Sequence, residues 1–204
     1  MNPDLTKPPL EFRELNLLKE LEANPVISQR ELSHKLGFAL GVTNACLKRM
    51  VERGWVRMAE LNHRKTGYYL TPEGTSKKAR LTLHLISWTV KHYSTLRNLI
   101  GRRLVEMERA GVRRVVFYGV TDEMEIAYIS LHGVSMRLVG IIEDEDKTLE
   151  REKFGFGLEG IGKVRVLNPD AALVTSLADK EERIRKLKNV LDLEKTKIYD
   201  IPTD

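Results

Sequence analysis

One cysteine in 204 residues, Cys46, leaves this chain without an intramolecular disulfide framework and suits a reducing compartment. No apolar run approaches the ~20 residues that a bilayer-spanning helix needs. Met1-Asn2-Pro3-Asp4 lacks the charged stretch and apolar core of a secretory leader, so the expected location is cytoplasmic, with no membrane partner. The five histidines (His34, His63, His84, His92 and His132) have none of the spacings that hold a metal, such as two on one helical turn with a carboxylate. A G-x-S-x-G elbow, a C-x-x-C pair and a phosphate-cradling loop ending in Lys-Ser/Thr are all missing. These absences leave no catalytic constellation and no metal site, and the chain is not expected to be an enzyme.

Charge of neither sign is scarce, but it is unevenly placed. Residues 1–110 carry a net +8 and residues 111–204 a net −3, within an overall +5. Between Ser28 and Arg80, 11 cations face 4 anions. A basic lobe joined to a mildly acidic one fits a polyanion partner for the first lobe, although a solvated surface gives the same sums.

Within the basic lobe, Leu10 to Ala23 reads as a helix with Phe12, Leu15, Leu18 and Leu21 inward, ended by Asn24-Pro25. Ser28 and Glu31 have the spacing of a capping box, and Ile27 and Leu32 that of a hydrophobic staple. Gly37 is placed to stop this second helix in the left-handed conformation. After Phe38-Ala39-Leu40, a third helix runs from about Gly41 to Arg53. Thr43, Leu47, Met50 and Val51 share its inner face, and Val42, Asn44, Ala45, Lys48 and Arg49 the other. Small and amide residues followed by cations suit the major groove, where Asn pairs with adenine and Lys or Arg reach guanine or phosphate. Taken alone, the pattern equally describes two core helices with a solvated face. Cys46, within this helix, reads first as a buried structural thiol and second as a redox sensor.

The residues after Trp55 favour DNA. Val56–Leu61 alternates as a strand, Tyr68-Tyr69-Leu70 forms a second, and Asn62-His63-Arg64-Lys65-Thr66-Gly67 makes a basic loop between them. A helix-turn-helix with a cationic hairpin is a winged helix, whose tip rests on phosphates or in the minor groove. The candidate base contacts are Val42, Asn44 and Lys48. Ala39, Gly41, Arg49, His63, Arg64 and Lys65 are candidates for the backbone or the wing. Thr71 and Pro72 then cap and open the next helix.

Three stretches carry a family resemblance: L-E-A-N-P-V-I-S-Q-R-E-L-S-H-K-L-G, L-G-V-T-N-A-C-L-K-R-M-V-E-R-G-W-V and Y-Y-L-T-P-E-G-T-S-K-K-A-R-L-T. The region from Glu11 to Thr82 resembles winged-helix regulators of the MarR type, and among them those associated with exopolysaccharide gene clusters. The resemblance implies double-stranded DNA as partner and control of polysaccharide biosynthesis genes.

Thr75 to about Arg109 reads as one long helix. Ala79, Leu83, Ile86, Val90, Tyr93, Arg97, Ile100, Leu104 and Met107 form a heptad seam, read first as a homodimer interface and second as internal packing. Gly101 marks a kink or the real end of this helix. Beyond Ala110-Gly111, apolar strands at 112–119, 137–144, 171–175 and 197–201 alternate with helices at 123–131 and 179–190, while Phe154 to Lys163 reads as a loop. The expected fold class is therefore an α+β winged helix (1–74), a long helix (75–110) and a small α/β Rossmann-like parallel-sheet domain (111–204).

Ligands of such sheets sit at the carboxyl ends of the strands. Here those ends carry the candidate ligand residues Gly119, Thr121, Asp122, Glu143, Asp144, Thr175 and Ser176. The segment Val115 to Asp146 resembles the N-terminal domain of bacterial sugar acyltransferases and the sensing half of Rex-type repressors, which would imply a nucleotide. Thr121 stands where the dinucleotide fingerprint has its second glycine, and Asp122-Glu123 puts negative charge where pyrophosphate would lie. NAD and other nucleotide cofactors are thus disfavoured, and a sheet serving assembly or partner docking is preferred to one that senses a small effector. The contrasting reading is a nucleotide- or sugar-nucleotide-binding protein whose winged helix docks proteins.

Overall fold

The computed structural model describes residues 11–62, 65–144 and 152–202, and for Asn62 and Lys65 the backbone alone. The chain forms two compact units that divide between Val90 and Lys91.

In the first unit α1 (Glu11–Ala23), α2 (Gln29–Leu36) and α3 (Leu40–Glu52) precede a hairpin of β1 (Val56–Asn62) and β2 (Lys65–Leu70). Phe12, Leu15, Leu18 and Leu21 of α1 are buried as their spacing predicts, and Leu17 joins them. The capping box forms in full: Ser28 Oγ accepts from the Glu31 N–H at 3.2 Å, and the Ser28 N–H donates to Glu31 Oε2 at 3.0 Å. At the other end Gly37 takes φ 64°, its N–H bonding to His34 O and that of Phe38 to Ser33 O. That paired arrangement satisfies two orphan carbonyls and needs a left-handed residue, which glycine supplies without a Cβ penalty. Ile27 and Leu32 share one core with Leu47, Met50, Val56, Tyr68 and Leu81. The hairpin is tied back to this core by the Tyr68 N–H on Pro25 O at 2.7 Å and by Gln29 Nε2 on the Tyr68 hydroxyl at 2.6 Å.

One helix, α4 (Pro72–Arg109), follows the hairpin. Gly101 neither ends nor interrupts it, and open space surrounds the position where its Cβ would lie. A single glycine costs about 1 kcal/mol against alanine, which the apolar burial on either side readily offsets. The heptad seam divides: Ile100, Leu104 and Met107 are fully buried, whereas Leu83, Ile86 and Val90 are 65%, 55% and 60% exposed. Internal packing therefore accounts for the last part of the seam.

The second unit holds a six-stranded sheet in the order β5-β6-β4-β3-β7-β8. Its strands are β3 (Arg114–Tyr118), β4 (Arg137–Glu143), β5 (Glu152–Lys153), β6 (Phe156–Gly160), β7 (Ala171–Val174) and β8 (Lys197–Asp200). All neighbours are parallel except β5 and β6. Phe154 to Lys163, expected as a loop, instead contains β6 and a 3-10 turn at Ile161–Lys163. Its glycines disguise the strand, whose pairing with β4 is set by backbone hydrogen bonds and needs no bulky side chains. On β3, Val115 and Phe117 face a core built with Leu96, Leu99, Ile100, Leu104 and Met107 of α4 and with Met124, Ile126 and Ala127 of α5 (Asp122–Ser130). Val116 and Tyr118 face the opposite core, with Val164 of α6 (Val164–Leu167) and Leu187 of α7 (Lys180–Val190). Alternate residues of one strand thus bury both faces, as a parallel sheet requires. Among the described residues no helix is long and apolar enough to cross a membrane.

Gly74, in the first turn of α4, has no room for a side chain: an added Cβ would lie 1.9 Å from Trp55 O. The same turn is capped by Thr71 Oγ, which accepts from the Gly74 N–H at 3.0 Å. Gly74→Ala should therefore destabilise the chain by about 1–3 kcal/mol, the usual cost of overpacking, although alanine is the better helix former. Thermal unfolding checks this, and a midpoint equal to or above that of the parent would mean the backbone yields without cost.

Candidate functional site

The turn from α2 into α3 decides which side of α3 faces solvent. Thr43, Cys46, Leu47 and Met50 are buried, so Gly41, Val42, Asn44, Ala45, Lys48 and Arg49 are left on the exposed side. Ala39 at the N-cap is also exposed and supplies no side-chain hydrogen bond, so the amides of the first turn keep donors for an outside acceptor. Lys48 lies 3.8 Å from Glu52 with both side chains mostly exposed, an i,i+4 pair too weak to hold it away from a partner. Arg49 Nη2 donates to Cys46 Sγ at 3.3 Å. Further cations are held on aromatic faces, Arg53 over Trp55 at 4.9 Å and Arg57 over Tyr69 at 5.0 Å. The structure thus gathers Ala39, Gly41, Val42, Asn44, Lys48 and Arg49 along one helix. His63 and Arg64 lie outside the described residues, and of Lys65 only the backbone is described, paired with Asn62 at the start of β2. Arg53, Arg57 and Lys77 were not singled out from the sequence; their neighbours Trp55 and Tyr69 were the available signal.

The second set of candidate residues gathers at the strand ends of the second unit. Gly119 follows β3 with φ 116°, and a Cβ there would meet Thr175 Oγ1 at 3.2 Å and Ser176 at 3.3 Å. Thr121 caps α5, its hydroxyl accepting from the Met124 N–H at 3.3 Å, and Asp122 opens that helix. Glu143 and Asp144 are buried rather than solvated. Glu143 Oε2 accepts from the Val120 N–H at 2.7 Å, while Oε1 accepts from the Asp144 N–H at 2.8 Å and from Arg183 Nη1 at 2.6 Å. Asp144 accepts from the Tyr118 hydroxyl at 2.5 Å and from Lys186 at 2.9 Å. Thr175 Oγ1 lies 2.7 Å from Gly119 O, and the Ser176 hydroxyl bonds to Asp179.

Through these bonds the protein's own carboxylate takes the Val120 N–H, a loop donor that a nucleotide phosphate would need. The acidic first turn of α5 adds negative charge beside that loop, while Glu143 and Asp144 are matched by Arg183 and Lys186. The residues present do not fit a pyrophosphate. Arg183, whose side chain is 4% exposed, is the member of this cluster that sequence reading missed. Its signal was the i,i+4 spacing to Asp179, which Arg183 Nε reaches at 2.9 Å. Its guanidinium also lies over the Tyr118 ring at 4.6 Å.

Burial alone would raise the Asp144 pKa, but the hydrogen bonds from Tyr118 and Lys186 and the charges of Lys186 and Arg183 outweigh it and hold the carboxyl below its ordinary 3.8. Burial, with the bond to Asp144, pushes the Tyr118 hydroxyl far up, so it remains a donor at all working pH values. The contribution of Asp144 to stability is therefore complete above its ordinary value and is lost as pH falls through the lower folded one. Asp144→Asn should flatten the acid limb of the stability curve below about pH 4, which acid titration of circular dichroism would detect. Arg183→Ala should cost about 3–5 kcal/mol by leaving Glu143 buried and unpaired, and pairing Arg183→Met with Glu143→Gln should recover part of it in urea unfolding.

Residues 13–57 match the model of a family described as winged helix-turn-helix DNA-binding. No curated protein matches the chain. Among solved structures, the chain is similar to the PcaV transcriptional regulator of Streptomyces coelicolor, with 20% identity, 40% of this chain and 62% of that one covered and a TM-score of 0.37. It is similar to FabT of Streptococcus pneumoniae in complex with DNA at 20% identity, with 39% and 56% covered and a TM-score of 0.32. It thus spans less than two thirds of the length of either regulator. With RSP, a Rex-family repressor, it shares 13% identity over 94% of this chain and 84% of that one, with a TM-score of 0.33. The first unit carries a winged helix-turn-helix domain of the DNA-binding kind.

Proposed function

We propose that the chain is a sequence-specific transcriptional regulator of the MarR type that binds DNA as a dimer and controls polysaccharide biosynthesis genes. The exposed face of α3 carries this reading: Asn44 and Lys48 stand one helical turn apart, beside the small residues Gly41, Val42 and Ala45. An amide with a cation behind it reads base edges, and small neighbours let the helix axis come close enough for either to reach them. The first-turn amides and Arg49, with the wing around Lys65, bind the phosphates that set register. The match of residues 13–57 to a DNA-binding family supports the same reading. The gene-cluster part rests on the resemblance over Glu11 to Thr82.

The dimer is supported by Leu83, Ile86 and Val90, which repeat at three and four residues and are more than half exposed. Fully burying one such side chain is worth about 1.5–3 kcal/mol, and two-fold symmetry counts every residue twice. Two copies would set two recognition helices on the half-sites of a near-palindrome.

Selection of genomic fragments by the purified chain at two salt concentrations should return a near-palindromic motif. Weak, sequence-independent retention that vanishes at physiological salt would oppose the proposal and favour a winged helix that docks proteins. Asn44→Ala should cost about 1–3 kcal/mol at one base step while leaving random DNA little changed; equal losses on both would remove Asn44 from the base contacts. Lys65→Ala should weaken all sequences alike and lower the salt slope by about one. Ile86→Glu should raise the dimer dissociation constant at least about 100-fold in sedimentation equilibrium, and an unchanged constant would place the interface elsewhere.

A further inference from the structure

The second unit contains a groove that none of the strand-end residues enters. It runs between the last turns of α4 and the end of α5 with its following 3-10 turn, Leu131–Gly133, and has a volume of about 960 Å³. Arg97, Arg102 and Arg109 line one wall. Among the described residues none of the three makes an ion pair. The single carboxylate on the lining, Glu106, is already engaged by Arg103 Nη1 at 2.9 Å. Arg102 and Arg109 stand two helical turns apart, about 10 Å along the axis, a separation at which ordinary salt largely screens their mutual repulsion. The C-terminal end of α5 points its partial negative charge at the same space, but a helix end carries about half a unit against three. The groove therefore keeps a net positive charge.

Two further features distinguish it from a solvated basic surface. Val105 and Ile129, both exposed and both on the lining, give the groove an apolar floor between its cations. Ser130 also lines the groove, and its hydroxyl is buried beneath the surface without a hydrogen-bond partner among the described residues. A buried hydroxyl without a partner is a cost that folding normally avoids, and an acceptor brought into the groove would remove it. On the opposite wall the His132 ring is held by Ile129 O at 3.2 Å and lies edge-on to Tyr128.

We propose that this groove binds a small phosphate monoester with an apolar body. Guanidinium forks match phosphate oxygens in pairs, and three of them without carboxylate partners favour a dianion over a monocarboxylate. Val105 and Ile129 take the apolar body, and the Ser130 hydroxyl, buried in the free chain, turns outward to donate to one phosphoryl oxygen. None of the groove's residues belongs to the first unit or to the strand-end cluster.

The test is isothermal titration of the full chain, without DNA, against four probes: phenyl phosphate, benzoate, inorganic phosphate and benzyl alcohol. Phenyl phosphate should bind saturably with a dissociation constant between about 1 μM and 1 mM, and each of the others at least about 10-fold more weakly. Arg102→Gln and Arg109→Gln should each weaken it about 10-fold and Ser130→Ala several-fold, while Arg185→Gln, an exposed cation outside the groove, should not change it. Thermal unfolding of every variant distinguishes lost binding from lost fold, and the first two alter exposed side chains. Absence of saturable binding, equal affinity for benzyl alcohol or inorganic phosphate, or unchanged affinity in both arginine variants would each overturn the proposal. So would a groove that binds nothing while Arg102→Gln cuts DNA affinity 10-fold, because the arginines would then be nucleic-acid contacts.

Discussion

A buried guanidinium has to be paired, and the arrangement of the strand ends in the second unit depends on that constraint. Arg183 enters the protein from α7, and bonds to Glu143 and Asp179 compensate its burial. Glu143 is in turn held by two backbone amides, one of them in the loop after β3. The carboxylate that neutralises the arginine thus also fixes the loop. Asp144, one residue on, binds Tyr118 and Lys186, so β3, β4 and α7 are joined through adjacent acids. Charges that look like an open ligand site in sequence are here consumed by the fold.

The first unit treats its polar groups in the opposite way. Ser28, Glu31 and Gly37 satisfy the ends of α2, and Thr71 caps α4, while the first turn of α3 begins at an alanine that caps nothing. Its exposed side holds an amide and two cations on a helix whose other side is locked into the core. A rigid helix with unspent donors is preorganised for an external acceptor, since little ordering remains to be done on binding.

The first unit is the more legible of the two because its signals are local. Capping boxes, left-handed glycines and helical periodicity act within a few residues, and each of those at Ser28, Gly37 and Thr43–Met50 has the expected form. The second unit depends on pairings between distant strands. β6 is hidden because its sequence, Phe-Gly-Leu-Glu-Gly, reads as a turn, and only its position beside β4 makes it a strand. Glu143 and Asp144 are legible as acids at a strand end, but not as buried ones, because their partners lie about 40 residues later on α7. The heptad seam is visible as one apolar stripe, and periodicity cannot tell that its last three members face a sheet.

The divided seam also governs where the chain can be cut. Leu96, Leu99, Ile100, Leu104 and Met107 belong to the core beneath the sheet, although they lie on the helix that comes after the wing. A fragment ending near Ala110 would carry these five side chains without the strands that cover them, an adhesive surface that invites aggregation. One ending near Val90 would leave them behind, along with the sheet they serve. The natural joint for proteolysis or domain exchange therefore lies within a continuous helix, where no loop marks it.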